Sequence, residues 1–86
     1  MYVYPKLAQA RRIAKKFGAK VYSSDKYPYK LYELWNDRQI YFGDRRYEDY
    51  LIHKDRARRK NYRSRHANDY IHDKNHAGFW AWHILW

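Results

Sequence analysis

The 86 residues include no cysteine, only three glycines and two prolines, and fewer than half as many acids as bases. Without cysteine there is neither a disulfide staple nor a thiolate ligand for a metal, and the redox state of the compartment leaves no mark on the chain. Three glycines cannot supply a glycine-rich loop that cradles phosphates. No apolar run approaches the ~20 residues of a membrane-spanning helix. The opening MYVYPKLAQARR lacks the apolar centre of a secretory leader. These absences predict a soluble protein that is not secreted, acting inside a cell or enclosed in a particle.

What is present is positive charge and rings. Nineteen Lys and Arg against nine Asp and Glu leave +10, with an isoelectric point near 9.9. A field of that sign selects polyanions, phosphate above all. Yet 45% of the residues are hydrophobic and 21% aromatic, including eleven Tyr and four Trp. A disordered basic tail lacks such apolar surface, so a folded domain is expected. At this length there is room for one domain, residues 1–86, with a modest core built from rings rather than from Val, Ile and Leu.

Pro5 suits a first helical turn and Gly18 a left-handed cap, which predicts a helix over 5–17. Leu7, Ala10, Ile13, Ala14 and Phe17 share one sector of that helix, while Arg11, Arg12, Lys15 and Lys16 fill the opposite one. Residues 20–43 change to the Tyr, Val, Ile, Trp and Phe texture of strands. Asn36-Asp37 predicts a tight turn between Leu31–Trp35 and Arg38–Phe42. A short strand at Lys20–Tyr22 would make three and place Pro28 at an edge or bulge. Glu33 disturbs the alternation by sharing a face with Leu31 and Trp35.

From Asp44 the pattern is helical, with Asp44 or Asp55 as cap and a turn possible at His53-Lys54. Nine of the nineteen bases lie between Arg45 and His66. A wheel drawn over the whole segment places Tyr47, Leu51, Asp55, Tyr62 and His66 on a docking seam. Arg56, Arg59, Lys60 and Arg63 form a ridge on one side of it, and Lys54, Arg58 and Arg65 flank the other. A polar connector over 67–76 leads to AGFWAWHILW, predicted to be a short helix whose Phe79, Trp82 and Trp86 fold back over the core. The fold class expected is a small single-domain α+β protein: basic helix, β-hairpin or short meander, basic central helix, aromatic C-terminal helix.

The order FGDRRYEDYLIHKDRARRKNYRSRH, a connector, then AGFWAWHILW resembles a family of small uncharacterised basic proteins of nucleocytoplasmic large DNA viruses. The likeness runs from AKKFGAKVYSSDK to Leu85-Trp86 and is carried by Tyr47 to Tyr50, Arg58-Arg59, Tyr62 and Arg65-His66. It implies a virus-encoded, virion-associated protein. It carries over no catalytic or binding residue.

Other motifs lead nowhere comparable. His53-Lys54-Asp55 spells HKD, but the phospholipase D type of phosphodiesterase needs His-x-Lys-x-x-x-x-Asp in two copies, and here the three are contiguous and single. His66, His72 and His76 offer imidazoles without cysteine support, a weak zinc pattern. His66, Arg59 and Tyr62 supply a base, a cation and a hydroxyl, but no carboxylate cluster holds a metal beside them. No cofactor, no metal and no enzymatic activity are therefore expected.

The sequence reading is a nucleic-acid-binding protein, DNA ahead of RNA, that contacts phosphates through Arg11, Arg12, Lys15, Lys16, Arg56, Arg59, Lys60 and Arg63. The alternative is a minor capsid or virion structural protein using the same bases on acidic protein surfaces. A third use of the charge is internal: Arg58 and Arg65 paired with acids or stacked on rings would stitch the core.

Overall fold

In the computed structural model, which describes residues 1–86, the amphipathic N-terminal spacing becomes α1, Leu7–Lys15. Ala10 and Ala14 are fully buried, with Leu7, Ile13 and Phe17 packed beside them. The helix is shorter than expected because its last turn tightens, the Phe17 amide bonding back only three residues to the Ala14 carbonyl at 2.9 Å. Gly18 follows with φ +73°, the left-handed cap.

Three strands, β1 (Lys20–Ser23), β2 (Tyr29–Trp35) and β3 (Arg38–Asp44), form an antiparallel meander in sequence order. Asn36 and Asp37 both hold positive φ, 53° and 59°, so the tight hairpin turn sits where the sequence puts it and Trp35 faces Arg38. Pro28 is neither at an edge nor in a bulge; it lies in the β1–β2 connection after a cis Tyr27–Pro28 bond. Val21, Leu31, Ile40 and Phe42 turn to the core, and Glu33 goes with them, fully buried.

Residues 44–66 do not form one helix. Asp49 caps a short α2, Tyr50–His53, by accepting the Ile52 amide at 3.2 Å. Lys54 then turns left-handed at φ 57°. Asp55 caps α3, Arg56–His66, accepting the amides of Ala57 and Arg58 at 2.9 and 3.2 Å. Asp44 caps nothing, because its carboxylate is held by Arg46 at 2.8 and 2.9 Å. The break at Lys54 corrects the continuous wheel: Leu51 is buried, but Tyr47 precedes both helices and is 67% exposed, so it belongs to no seam.

The C-terminal segment forms α4, Ala77–Trp80, which widens into a π-helical turn over Ala81–Leu85. Bonding i to i+5 puts Phe79 above Ile84 and Trp80 above Leu85, and these four are the buried ones. The expected Phe79, Trp82, Trp86 stripe is corrected at Trp82, which is not part of the core; Trp86 does pack against the core, and both rings also meet Tyr62 of α3, at 6.4 and 4.3 Å between ring centroids. Trp80 seals the core against Phe17 and Trp35, 6.0 and 5.8 Å away. Gly78 makes this possible, since a Cβ there would fall 1.8 Å from the Asp69 carbonyl oxygen. No helix is long and apolar enough to cross a membrane.

One polar knot ties the N-terminal segment, β2 and α2 together. The Tyr4 hydroxyl donates to Asp49, within 2.8 Å of both carboxylate oxygens, and the Lys30 ammonium reaches one of them at 2.7 Å. All three side chains are buried. Burial and the Asp49 charge push the Tyr4 hydroxyl far above its ordinary pKa, so it stays a neutral donor.

Candidate functional site

The outer face of α1 keeps the charge that its sequence assigns to it. Arg12, Lys15 and Lys16 are exposed and make no side-chain hydrogen bond or ion pair with the rest of the chain. Arg11 is also exposed but leans inward, its Nε donating to the Val21 carbonyl at 3.1 Å. The α1 ridge therefore offers three unengaged cations and one partly committed. Lys54, at the α2–α3 junction, reaches Gln9 of α1 with its ammonium at 3.4 Å.

The α3 ridge divides. Arg56 and Lys60 point to solvent without partners, but Arg59 and Arg63 do not belong with them. Arg59 donates from Nε to the Trp86 carbonyl oxygen at 2.6 Å and lies over the Tyr50 ring at 4.8 Å. Arg63 reaches the same oxygen at 3.1 Å and covers Trp82 at 4.9 Å. Burial, and then the neighbouring Arg59 charge, lowers the Arg63 pKa from its ordinary value. Both guanidiniums hold the C-terminal rings onto α3, which has no fully buried residue of its own.

That role has a measurable consequence. Charge-assisted bonds to a carbonyl contribute about 1.5 kcal/mol or more each, and part is recovered by solvation of the exposed ends. The R59Q/R63Q variant should lose about 1–2 kcal/mol in a denaturant melt. On the expectation that the bases bind nucleic acid, the salt dependence of that binding should stay at the parent value, because both side chains are spent on the C-terminal backbone and rings.

Arg58 pairs with Glu48 at 3.4 Å, both side chains about half exposed or more, a surface pair of small energetic weight. Arg65 is exposed and unpaired, so of the two arginines considered for internal use only Arg58 has an acidic partner. Tyr62 is stacked between His66 and Trp86, centroids 4.1 and 4.3 Å away, and this is the true docking seam of α3.

Four of the five histidines serve local structure, and His72 is exposed without a side-chain partner. His53 accepts the Asp55 amide through Nδ1 at 2.9 Å, and burial lowers its pKa. His66 pairs with Asp69 and His76 with Asp73. His83 packs on Phe79 at 4.3 Å and contacts the Ile71 carbonyl at 2.9 Å. No three His, Asp or Glu side chains converge as a metal site.

Between β3, the loop after it, α3 and the C-terminal helix lies an open groove of about 750 Å³, lined by Tyr41, Tyr47, Arg58, Asn61, Arg65 and Trp86 among others. No local pattern announces it, because its walls come from segments far apart in the chain.

These features define a small α+β domain whose surface helices carry cations left unpaired by its own acids. Residues 6–66, spanning α1 to α3, match the family of unknown function DUF5754, and the chain belongs to that family. No curated protein and no solved structure matches it.

Proposed function

We propose that the protein is a non-enzymatic nucleic-acid-binding protein that grips phosphates through α1 and α3, without reading sequence and with DNA ahead of RNA. The observation that supports this best is that none of the eight sequence-selected bases forms an ion pair. Four of the acids are occupied elsewhere: Asp49 with Lys30, Asp44 with Arg46, Glu48 with Arg58, and Asp55 as a helix cap. A folded protein that leaves this much like charge unneutralised on two of its helices accepts repulsion that a polyanion would relieve.

The contact set is Arg12, Lys15, Lys16, Arg56 and Lys60, with Arg11 as a weaker member and Arg59 and Arg63 removed from it. In keeping with the viral resemblance, the setting we propose is a virus particle or the interior of an infected cell.

Five phosphate contacts give a slope of about −4.5 in log affinity against log salt for duplex DNA. Replacing the five with Gln should flatten that slope towards zero and leave the thermal melt in place, since none of the five is buried. A parent that shifts no DNA or RNA at low salt sinks the proposal. So does equal affinity for polyglutamate, the behaviour expected of a capsid component that docks on acidic protein.

A further inference from the structure

Tyr22, Tyr32 and Tyr41 stand side by side across the three strands, the register pairing Tyr22 with Tyr32 and Tyr32 with Tyr41. Adjacent rings in this row are 5.4 Å apart, centroid to centroid, and Tyr29 extends it at 5.7 Å from Tyr41. Strand alternation puts Tyr22, Tyr32 and Tyr41 on the face opposite Val21, Leu31, Ile40 and Phe42. None of the three belongs to the hydrophobic core or packs against it. Each keeps part of its surface in solvent, and Leu34 beside them is 41% exposed. Cations stand at both ends of the row: the Arg11 guanidinium lies 5.7 Å from the Tyr22 centroid and the Lys26 ammonium 5.0 Å from that of Tyr41. Neither cation has a carboxylate partner.

We infer that this sheet face is a stacking platform for single-stranded nucleic acid. Unpaired bases lie against the tyrosine rings, and phosphates run past Arg11 and Lys26. The inference rests on the nucleic-acid reading above and narrows it to unpaired strands. Rings on a solvated sheet, spaced across strands and flanked by cations, offer each base a π surface and each phosphate a counter-charge, which suits any sequence. A duplex cannot use the rings, because its bases are already stacked inside. An apolar partner helix would call for Leu and Ile at these positions rather than three hydroxyl-tipped rings. The open groove begins at Tyr41 and Tyr29 and continues the same surface towards Arg58 and Arg65.

The test is anisotropy with a labelled oligothymidylate and a labelled duplex of equal length. The parent should bind the single strand more tightly. Y32L/Y41L should weaken single-strand binding at least about tenfold, with duplex binding unchanged, whereas Y32F/Y41F should bind as the parent does. The Phe pair also guards against a trivial folding loss, and circular dichroism melts of all three proteins check it directly. Unchanged single-strand affinity in the Leu pair, a loss shared equally by the duplex, or failure of the Phe pair to rescue would overturn the platform. Duplex binding would survive those outcomes and keep the phosphate reading alive. A parent that binds neither probe would end both.

Discussion

Replacing Asp49 with Ala is expected to cost about 3–5 kcal/mol, the usual penalty for leaving one partner of a buried ion pair uncompensated. The Lys30 ammonium would remain buried with its only anion gone, and the Tyr4 hydroxyl and the Ile52 amide would each lose an acceptor. A domain of this length has about 4–13 kcal/mol in total. The variant should therefore unfold at much lower urea than the parent, and part of it should be unfolded in plain buffer. The charge itself is not what the fold needs. An apolar triple variant, Tyr4→Phe with Lys30→Met and Asp49→Leu, removes every member of the knot together and should recover most of the loss. If Asp49→Ala melts within about 1 kcal/mol of the parent, the ion pair does not anchor the fold.

That knot marks where sequence reasoning stops. The α1 face, the Asn36-Asp37 turn and the third strand were legible because each depends on residues close in the chain: apolar spacing, two positive-φ turn residues, a run of β-formers. Asp49 was only one acid in a basic stretch. Its role is set by Tyr4 and Lys30, 45 and 19 positions away. The division of the Arg56 to Arg63 ridge was hidden for the same reason. A wheel separates faces of a helix, but it cannot say that the Trp86 carbonyl will arrive beside Arg59 and Arg63. The aromatic end was misread through its period. A 3.6-residue repeat selects Phe79, Trp82 and Trp86, whereas the π-turn selects Phe79, Trp80, Ile84 and Leu85. The tyrosine row was available in the sequence once the register was known, since Tyr32 and Tyr41 are equidistant from the predicted turn. Tyr22 joins it only through the β1–β2 register, which no local turn signal announces.

The same partition explains how so basic a chain can fold. Arg59 and Arg63 spend their donors on the C-terminal backbone and their flat faces on Tyr50 and Trp82, so two of the most crowded positive charges act as packing. The cations left over are those of the α1 face, the start and outer side of α3, and the two that flank the tyrosine row. On the proposed reading, binding and folding draw on separate arginines of one ridge, and single substitutions distinguish them.

Glu33 gives the second large expectation, a stability that falls as pH rises. It is fully buried on the core face of β2, and neither carboxylate oxygen has a hydrogen-bond partner. Burial raises its pKa from 4.5 to about 8, with the Lys74 charge pulling weakly the other way. Below 4.5 the group is protonated in both folded and unfolded chains, so it adds no pH dependence there. Between 4.5 and about 8 the unfolded chain has released the proton while the folded chain still holds it. Stability then declines by about 1.4 kcal/mol per pH unit, and it levels off once the folded carboxyl also ionises. Over that window the loss amounts to several kcal/mol, comparable with breaking the Asp49 knot. Glu33→Gln keeps the shape without the titration. Its stability curve should be flatter than the parent's across this range, with the gap between the two proteins widening from pH 5 to pH 8 in favour of Gln. Urea melts of both proteins at those two pH values measure it, and parallel curves would mean that Glu33 is solvated or paired in solution.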